Sequence, residues 1–161
     1  MNRNVDISKV LSGLKEIAPA GFAIALHIRF TSPAFMFQTY PRAWIEEYSR
    51  DGLLAYDPTV AWAFSGEGHV QWSDLVPQDK AGVLGRAAAH DIRHGLTVSV
   101  VRQGSRSLGG FARPDREFTP EEASTLEAAV GQLHDSTDPS QPLPKDLRES
   151  LHRLSVMVTH P

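Results

Sequence analysis

The sequence predicts an α/β (α+β) fold: an α-β-α sandwich around a central five-stranded, mostly antiparallel sheet. Three observations carry that expectation. Five short apolar or aromatic runs stand between turn-forming residues. Helical apolar spacing brackets them at both ends of the chain. The length of 161 residues suits one compact domain with a core of useful size. Such a sheet needs amphipathic helices on each face to bury its side chains.

In order along the chain, Val5, Ile7, Val10, Leu11, Leu14 and Ile17 recur at helical spacing until Pro19 and Gly21 stop them. GFAIALHIRF (21–30) and AFMFQTY (34–40) read as neighbouring strands around the break TSP. PRAWIEEYSRDG has Pro41 in a first-turn position, Gly52 as a stop, and a wet face of Arg42, Glu46, Glu47 and Arg50. Asp57-Pro58 opens a short helix, TVAWAF, closed by GEG, and HVQWSDL follows as a short strand or extended loop. DKAGVLGRAAAHDIRHG is Ala-rich and reads as a helix ending at Gly95. GLTVSVVRQ and SLGGFARP read as a hairpin around GS. PEEASTLEAAVGQLHD carries Thr119 as N-cap, Pro120 in the first turn and acids behind it, the strongest helix signal in the chain. STDPSQPLP has linker composition, and LRESLHRLSVMV closes with a helical segment. Two units follow: residues 1–136, and a trailing segment 137–161.

Composition excludes several function classes. Lys and Arg number 16 against 19 acids, a formal charge of -3 that offers no global attraction to nucleic acid or an anionic membrane. There is no cysteine, hence no disulfide, thiolate metal site or Cys nucleophile. The N-terminal stretch lacks the apolar core of a signal peptide, and no run approaches the roughly 20 apolar residues of a membrane span. A soluble, cytoplasmic protein is expected.

Chemistry concentrates in YPRAWIEEYSRDGLLAYDP. Trp44 and Tyr48 lie four apart on one helix face, with Tyr40 just upstream. Core packing alone accounts for rings at that spacing, and Asp57 alone accounts for the N-cap of the Pro58 helix. Yet two phenols, an indole N–H and a carboxylate drawn to one region each need a partner when buried, and a small polar ligand with an apolar tail would supply them.

Tyr40, Trp44, Tyr48, Asp57 and Trp72 stand at spacings of four, four, nine and fifteen. With Gly95 in HGLTVSV and with SLGGFA, this pattern resembles the autoinducer-binding domain of LuxR-type quorum-sensing regulators. The resemblance covers residues 5 to about 136. It implies an N-acyl-homoserine lactone ligand and no cofactor. Trp44 would donate to the lactone carbonyl and Tyr40 to the amide carbonyl, while Asp57 would accept the amide N–H. Acceptor and donor chemistry agree with those roles. Tyr48 and Trp72 would wall the ligand, with Met36, Val60 and Ile92 as apolar lining. Ala112 falls near where the family often has Ser or Thr, which removes one hydroxyl contact.

The family continues into a helix-turn-helix domain, whereas 24 residues follow Thr137 here. LPKDLRESLHRLSVMV resembles a worn opening of that domain, with Leu143, Arg148, Glu149 and Leu151 in a loosely similar pattern. The expectation is a sensor domain cut from a longer regulator or a stand-alone version, unable to bind DNA alone. It would pair with a second copy or a full-length regulator of the family through the apolar faces of the first helix, the Thr119–Asp135 helix or LHRLSVMV. The competing enzyme class rests on HDIRH, where His90 and His94 would share a helix face at i and i+4, a spacing used by zinc hydrolases. No third ligand stands at a recognisable spacing, so non-catalytic roles for both histidines and no metal are the expectation. His27, on an apolar strand, reads as a satisfied core residue.

Overall fold

Phe22, Ile24 and Leu26 alternate with Ala23 and Ala25 along one run, and that period of two assigns each set to its own face of the sheet. The computed structural model describes residues 3–30 and 32–159, with side chains from Ile7 onward. The strands are β1 (Gly21–Arg29), β2 (Ser32–Gln38), β3 (Gly68–Gln71), β4 (His94–Arg102), β5 (Ser105–Arg113) and β6 (Met157–Thr159). The helices are α1 (Arg3–Ile17), α2 (Arg42–Arg50), α3 (Pro58–Ser65), α4 (Val83–Ala88), α5 (Pro120–Ser136) and α6 (Lys145–Arg153), with 3-10 turns at Leu53–Tyr56 and Trp72–Gln78. The sheet order is β3-β4-β5-β1-β2-β6, with every pairing antiparallel.

The larger core lies on the face that carries the bulky strand residues. Phe22, Ile24, Leu26, Phe35, Phe37, Leu96, Val98 and Phe111 meet Ile7, Leu11 and Leu14 of α1 and Leu126, Val130 and Leu133 of α5. Val5, counted with the first helix's apolar stripe, lies outside the described side chains, as does Thr31 of the interstrand break. The opposite face is floored by small residues. Gly21, Ala23, Ala25, Gly95, Thr97, Gly110 and Ala112 share it by register, and a second cluster built from α2, α4 and the two 3-10 turns covers part of it. Helices on both sides of an antiparallel sheet are what the sequence predicts.

Among the described residues the sheet has six strands rather than five. β6 pairs with β2 through Met36↔Thr159, Phe37↔Val158 and Gln38↔Met157. Leu143, Leu147, Leu151 and Val156 join the main core, and Lys15 Nζ on α1 donates to the Leu154 carbonyl. The segment expected to trail after Thr137 is thus packed into the domain, because its leucines at helical spacing find α1. Much of the apolar surface expected to meet a partner is therefore internal, although Met157 stays exposed. Leu11, Leu126 and Leu151 are all fully buried.

Two helices differ from expectation. The run 79–95 forms a helix only over Val83–Ala88, with Asp79 Oδ1 and Oδ2 capping the Val83 and Leu84 amides (2.9 Å each). Asp91 then adopts a left-handed φ of 65°, and the chain enters β4 at His94. Pro41 is the N-cap residue of α2 rather than part of its first turn. The α5 start conforms fully: Thr119 Oγ1 accepts from the Glu122 amide (3.1 Å), and a Glu122 carboxylate oxygen accepts from the Thr119 amide (2.9 Å).

His27 sits at a bulge in the β1–β5 pairing with φ 53°. Its Nδ1 lies 2.9 Å from Ser105 Oγ and its Nε2 2.9 Å from the His134 carbonyl, so both ring nitrogens are satisfied. Burial, and then the neighbouring His27, lowers the pKa of His134, whose Nδ1 is 2.6 Å from Ser107 Oγ.

Candidate functional site

Glycines place the aromatic residues. A Cβ at Gly21, where φ is 122°, would stand 2.6 Å from Tyr40 Cδ1, so glycine there lets the Tyr40 ring lie against the start of β1. A Cβ at Gly95 would stand 1.9 Å from Trp72 Cδ2, which shows the indole lying directly on β4. Trp72 Nε1 then donates to Thr97 Oγ1 (2.9 Å), two residues along the same strand face. The position a Cβ would occupy at Gly110 is 3.5 Å from the Tyr40 hydroxyl and 3.8 Å from Trp72 Cζ2. Tyr40 and Trp72 therefore converge over one spot on β5.

Asp57 stands at the rim of this spot and serves two purposes at once. Its Oδ1 accepts from the Thr59 amide (2.9 Å) and hydroxyl (2.7 Å), capping α3, and its Oδ2 accepts from the Tyr48 hydroxyl (2.8 Å). Each carboxylate oxygen can accept two bonds, so Oδ2 keeps capacity for another donor. Burial, reinforced by the charge of Asp57, pushes the Tyr40 and Tyr48 phenols well above their ordinary range, and both stay protonated donors at ordinary pH. Trp44 meets Tyr48 edge-on at 5.6 Å between centroids and lies 5.5 Å from the His90 ring.

Among the described residues, no acceptor pairs with the Tyr40 hydroxyl or the Trp44 indole N–H. Neither donor is sealed from solvent, since the Gln71 side-chain carbonyl is the sole fully buried unpaired polar side-chain atom among those residues. Two donors, and one part-free acceptor joined through Tyr48, thus belong to the cluster that lies on this sheet face, where Ala23, Ala25 and Gly110 are only half-buried. Such a spot suits a small molecule with two carbonyls, one N–H and an apolar portion.

Of the ten residues singled out from sequence, Tyr40, Trp44, Tyr48, Trp72, Ile92 and Ala112 fall in this second cluster, and Gly95 underlies it. Asp57 joins through Tyr48. Met36 shares the sheet face, opposite Ala25, yet lies outside the cluster, as does Val60, half-buried in the first turn of α3. Sequence reasoning missed Thr59, Thr97, Leu53, Val83 and Ala87. For Thr97 the signal was present, since it stands two positions after Gly95 on a strand. Thr59 likewise stands two positions after Asp57, whereas Leu53, Val83 and Ala87 depend on non-local packing.

His90 and His94 do not share a helix face. His90 sits in the turn after α4 and His94 opens β4, opposite Arg113. His90 Nε2 lies 3.0 Å from Glu47 Oε1, and no group of three or more metal-ligating His, Cys, Asp or Glu occurs among the described residues. Cavity volume alone does not mark the site either. A depression of ≈ 500 Å³ runs along α6 beside Lys145 and Arg148, and another of ≈ 330 Å³ lies between β4 and α5, both lined by charged groups.

Residues 23–137 match the autoinducer binding domain family. The chain belongs to that family. Over 83 residues it is 34% identical to the regulatory protein SdiA of Escherichia coli, covering 51% of this chain and 34% of that protein. Over 118 residues it is 30% identical to the transcriptional activator protein SolR of Ralstonia nicotianae, covering 70% of this chain and 48% of SolR. The chain thus spans about a third to a half of these relatives, which are regulators. Among solved structures, SdiA in complex with octanoyl-rac-glycerol superposes with a TM-score of 0.61 at 19% identity, over 96% of this chain and 62% of that one. CepR2 of Burkholderia cenocepacia, an N-acylhomoserine lactone dependent LuxR family transcription factor, gives 0.56 at 16%, over 84% and 93%. These likenesses establish the fold of a LuxR-type autoinducer-binding domain, and membership in the family supports a quorum-sensing receptor role. No helix among the described residues is long and apolar enough to cross a membrane.

Proposed function

We propose that this domain binds an N-acyl-homoserine lactone without turning it over. The reading rests on one observation: Tyr40 and Trp44, whose hydroxyl and indole N–H have no protein acceptor among the described residues, share one cluster with Tyr48, which bonds the part-free Oδ2 of Asp57. The indole donates to the lactone carbonyl, Tyr40 donates to the amide carbonyl, and Asp57 accepts the amide N–H. Tyr48 and Trp72 wall the headgroup. The small-residue floor leads past Ala25 toward Met36, a course that suits an acyl chain. Ala112 contributes no hydroxyl, so Tyr40 carries the amide carbonyl alone. His90 is held by Glu47 and takes no part in hydrolysis. In the cell the domain acts as a sensor whose output passes through a DNA-binding partner or domain.

Calorimetry with N-octanoyl-homoserine lactone tests the assignment through Tyr40→Phe and Trp44→Phe. Because neither donor has a protein partner among the described residues, Tyr40→Phe leaves thermal stability near wild type while weakening binding about tenfold, the worth of one buried hydrogen bond. Trp44→Phe weakens it at least as much, since it also trims ring area. Octanoyl-glycerol, which lacks the amide N–H, discriminates further, because its binding responds less to Asp57→Asn than lactone binding does. Lactone affinity unchanged in both aromatic variants would refute the assignment.

A further inference from the structure

α2 carries Trp44 and Tyr48 into the site on one face, and on the other it carries charge. Among the helices and strands described, its backbone packs most against the 3-10 turn that follows it. Side chains therefore hold it in place, and they do so in two ways. Trp44 and Tyr48 pack into the second cluster beside Val83, Leu84, Ala87 and Ile92. Alongside them, Glu47 Oε2 accepts from Arg86 Nε on α4 (2.9 Å), and Glu47 Oε1 lies 3.0 Å from His90 Nε2. Arg86 also reaches Asp51 at the end of α2, and Asp51 is gripped in turn by Arg50. The His90 ring stands against Trp44 itself. One carboxylate thus fastens α2 to Arg86 on α4 and to His90 in the turn after it, and the His90 ring also touches the Trp44 indole.

We propose that Glu47, Asp51, Arg86 and His90 form a latch that holds α2 down over the aromatic site, with Glu47 and His90 as positioning residues for Trp44 that set how fast a bound ligand leaves. The inference rests on the ligand reading above. The physical basis is geometric. A ligand walled in by Trp44 and Tyr48 leaves most directly when α2 lifts, and lifting α2 breaks the Glu47 and Asp51 contacts to α4 together with the His90–Trp44 contact. The Glu47 and Asp51 carboxyls are held below their ordinary range, Glu47 chiefly by its bond to His90 and then to Arg86, Asp51 chiefly by Arg50 and then by Arg86. Both therefore stay charged at neutral pH. Their side chains are only 22% and 33% exposed, so the contacts are less diluted by water than most surface pairs.

Two measurements on the full chain decide the matter. Stopped-flow tryptophan fluorescence gives the dissociation rate of N-octanoyl-homoserine lactone from wild type, Glu47→Gln, His90→Gln and the double variant. Native-state hydrogen exchange reads the amides of residues 42–50 without ligand. Each single substitution should raise the off-rate about fivefold, on the scale of a small network of part-buried ion pairs. The double variant should add little to the larger single effect, because the two residues share one contact. Exchange in α2 should quicken while the thermal midpoint moves little. Arg102→Gln, which breaks the Arg102–Asp135 pair far from the site, serves as the control and should leave the off-rate unchanged. Wild-type off-rate and α2 exchange in Glu47→Gln would overturn the latch, as would an equal off-rate gain in Arg102→Gln. If the wild type binds no acyl lactone, the ligand reading fails, and the exchange arm by itself decides whether the latch exists.

Discussion

Gly95→Ala offers the sharpest test of how the site is built, because the obstacle is a single ring. The added methyl would sit 1.9 Å from Trp72 Cδ2 and 2.2 Å from both Cε2 and Cε3. No carbon pair tolerates such a distance, and strand backbone paired to Ala112 on one side and leading into Leu96↔Gln71 on the other has little room to retreat. Trp72 must move, and its bond to Thr97 Oγ1 goes with it. Overpacking costs about 1–3 kcal/mol, and a buried polar group left unpaired costs about 1–3 kcal/mol more. A total of about 3 kcal/mol lowers the thermal midpoint of a chain this size by roughly 6–12 °C. Thermal unfolding by circular dichroism measures the drop, and near-ultraviolet dichroism reports the indole's displacement. In a Trp72→Leu background the same Gly95→Ala substitution should cost much less, since the ring is gone. An unchanged midpoint, or an equal loss in both backgrounds, refutes the claim that Gly95 exists to accommodate Trp72.

Two further outcomes follow from the fold. Leu151→Ala should cost about 2–5 kcal/mol in urea denaturation, because Leu151 is fully buried in the main core; wild-type stability would show that α6 is not integral to the domain. At the α5 start, Glu122 is pulled down to about 2, first by its bond to Arg116 and also by capping the Thr119 amide. Its contribution is present above the ordinary value of 4.5 and disappears as pH falls from there toward 2. Carboxyl-carbon NMR should place the midpoint near 2 and move it upward in Arg116→Gln; a wild-type midpoint at 4.5 would contradict the geometry.

Local events were legible in neighbouring residues. Thr119, Pro120 and Glu122 start α5 because a cap, a ring-fixed φ and a reciprocal carboxylate act within four residues of one another. The alternation in GFAIALHIR separates a bulky face from a small one without reference to any other strand. Tyr40, Trp44 and Tyr48 cluster for the same reason, since helical spacing and a strand end place them together. Asp57 as a cap was legible too, because Pro58 follows it. Other features arise from contacts across long separations. His90 and His94 promised a shared helix face, but a left-handed Asp91 ended the turn and gave His90 to Glu47, 43 residues away. β6 spans three residues, too few to show a period, and its place at the edge of β2 goes with the packing of α6 against α1. Trp72 rests on Gly95, 23 positions away, and no spacing rule could have announced that a missing side chain on one strand makes room for an indole arriving from a 3-10 turn. Short-range sterics and hydrogen bonding are written residue by residue, whereas the filling of a shared volume depends on which distant elements reach it.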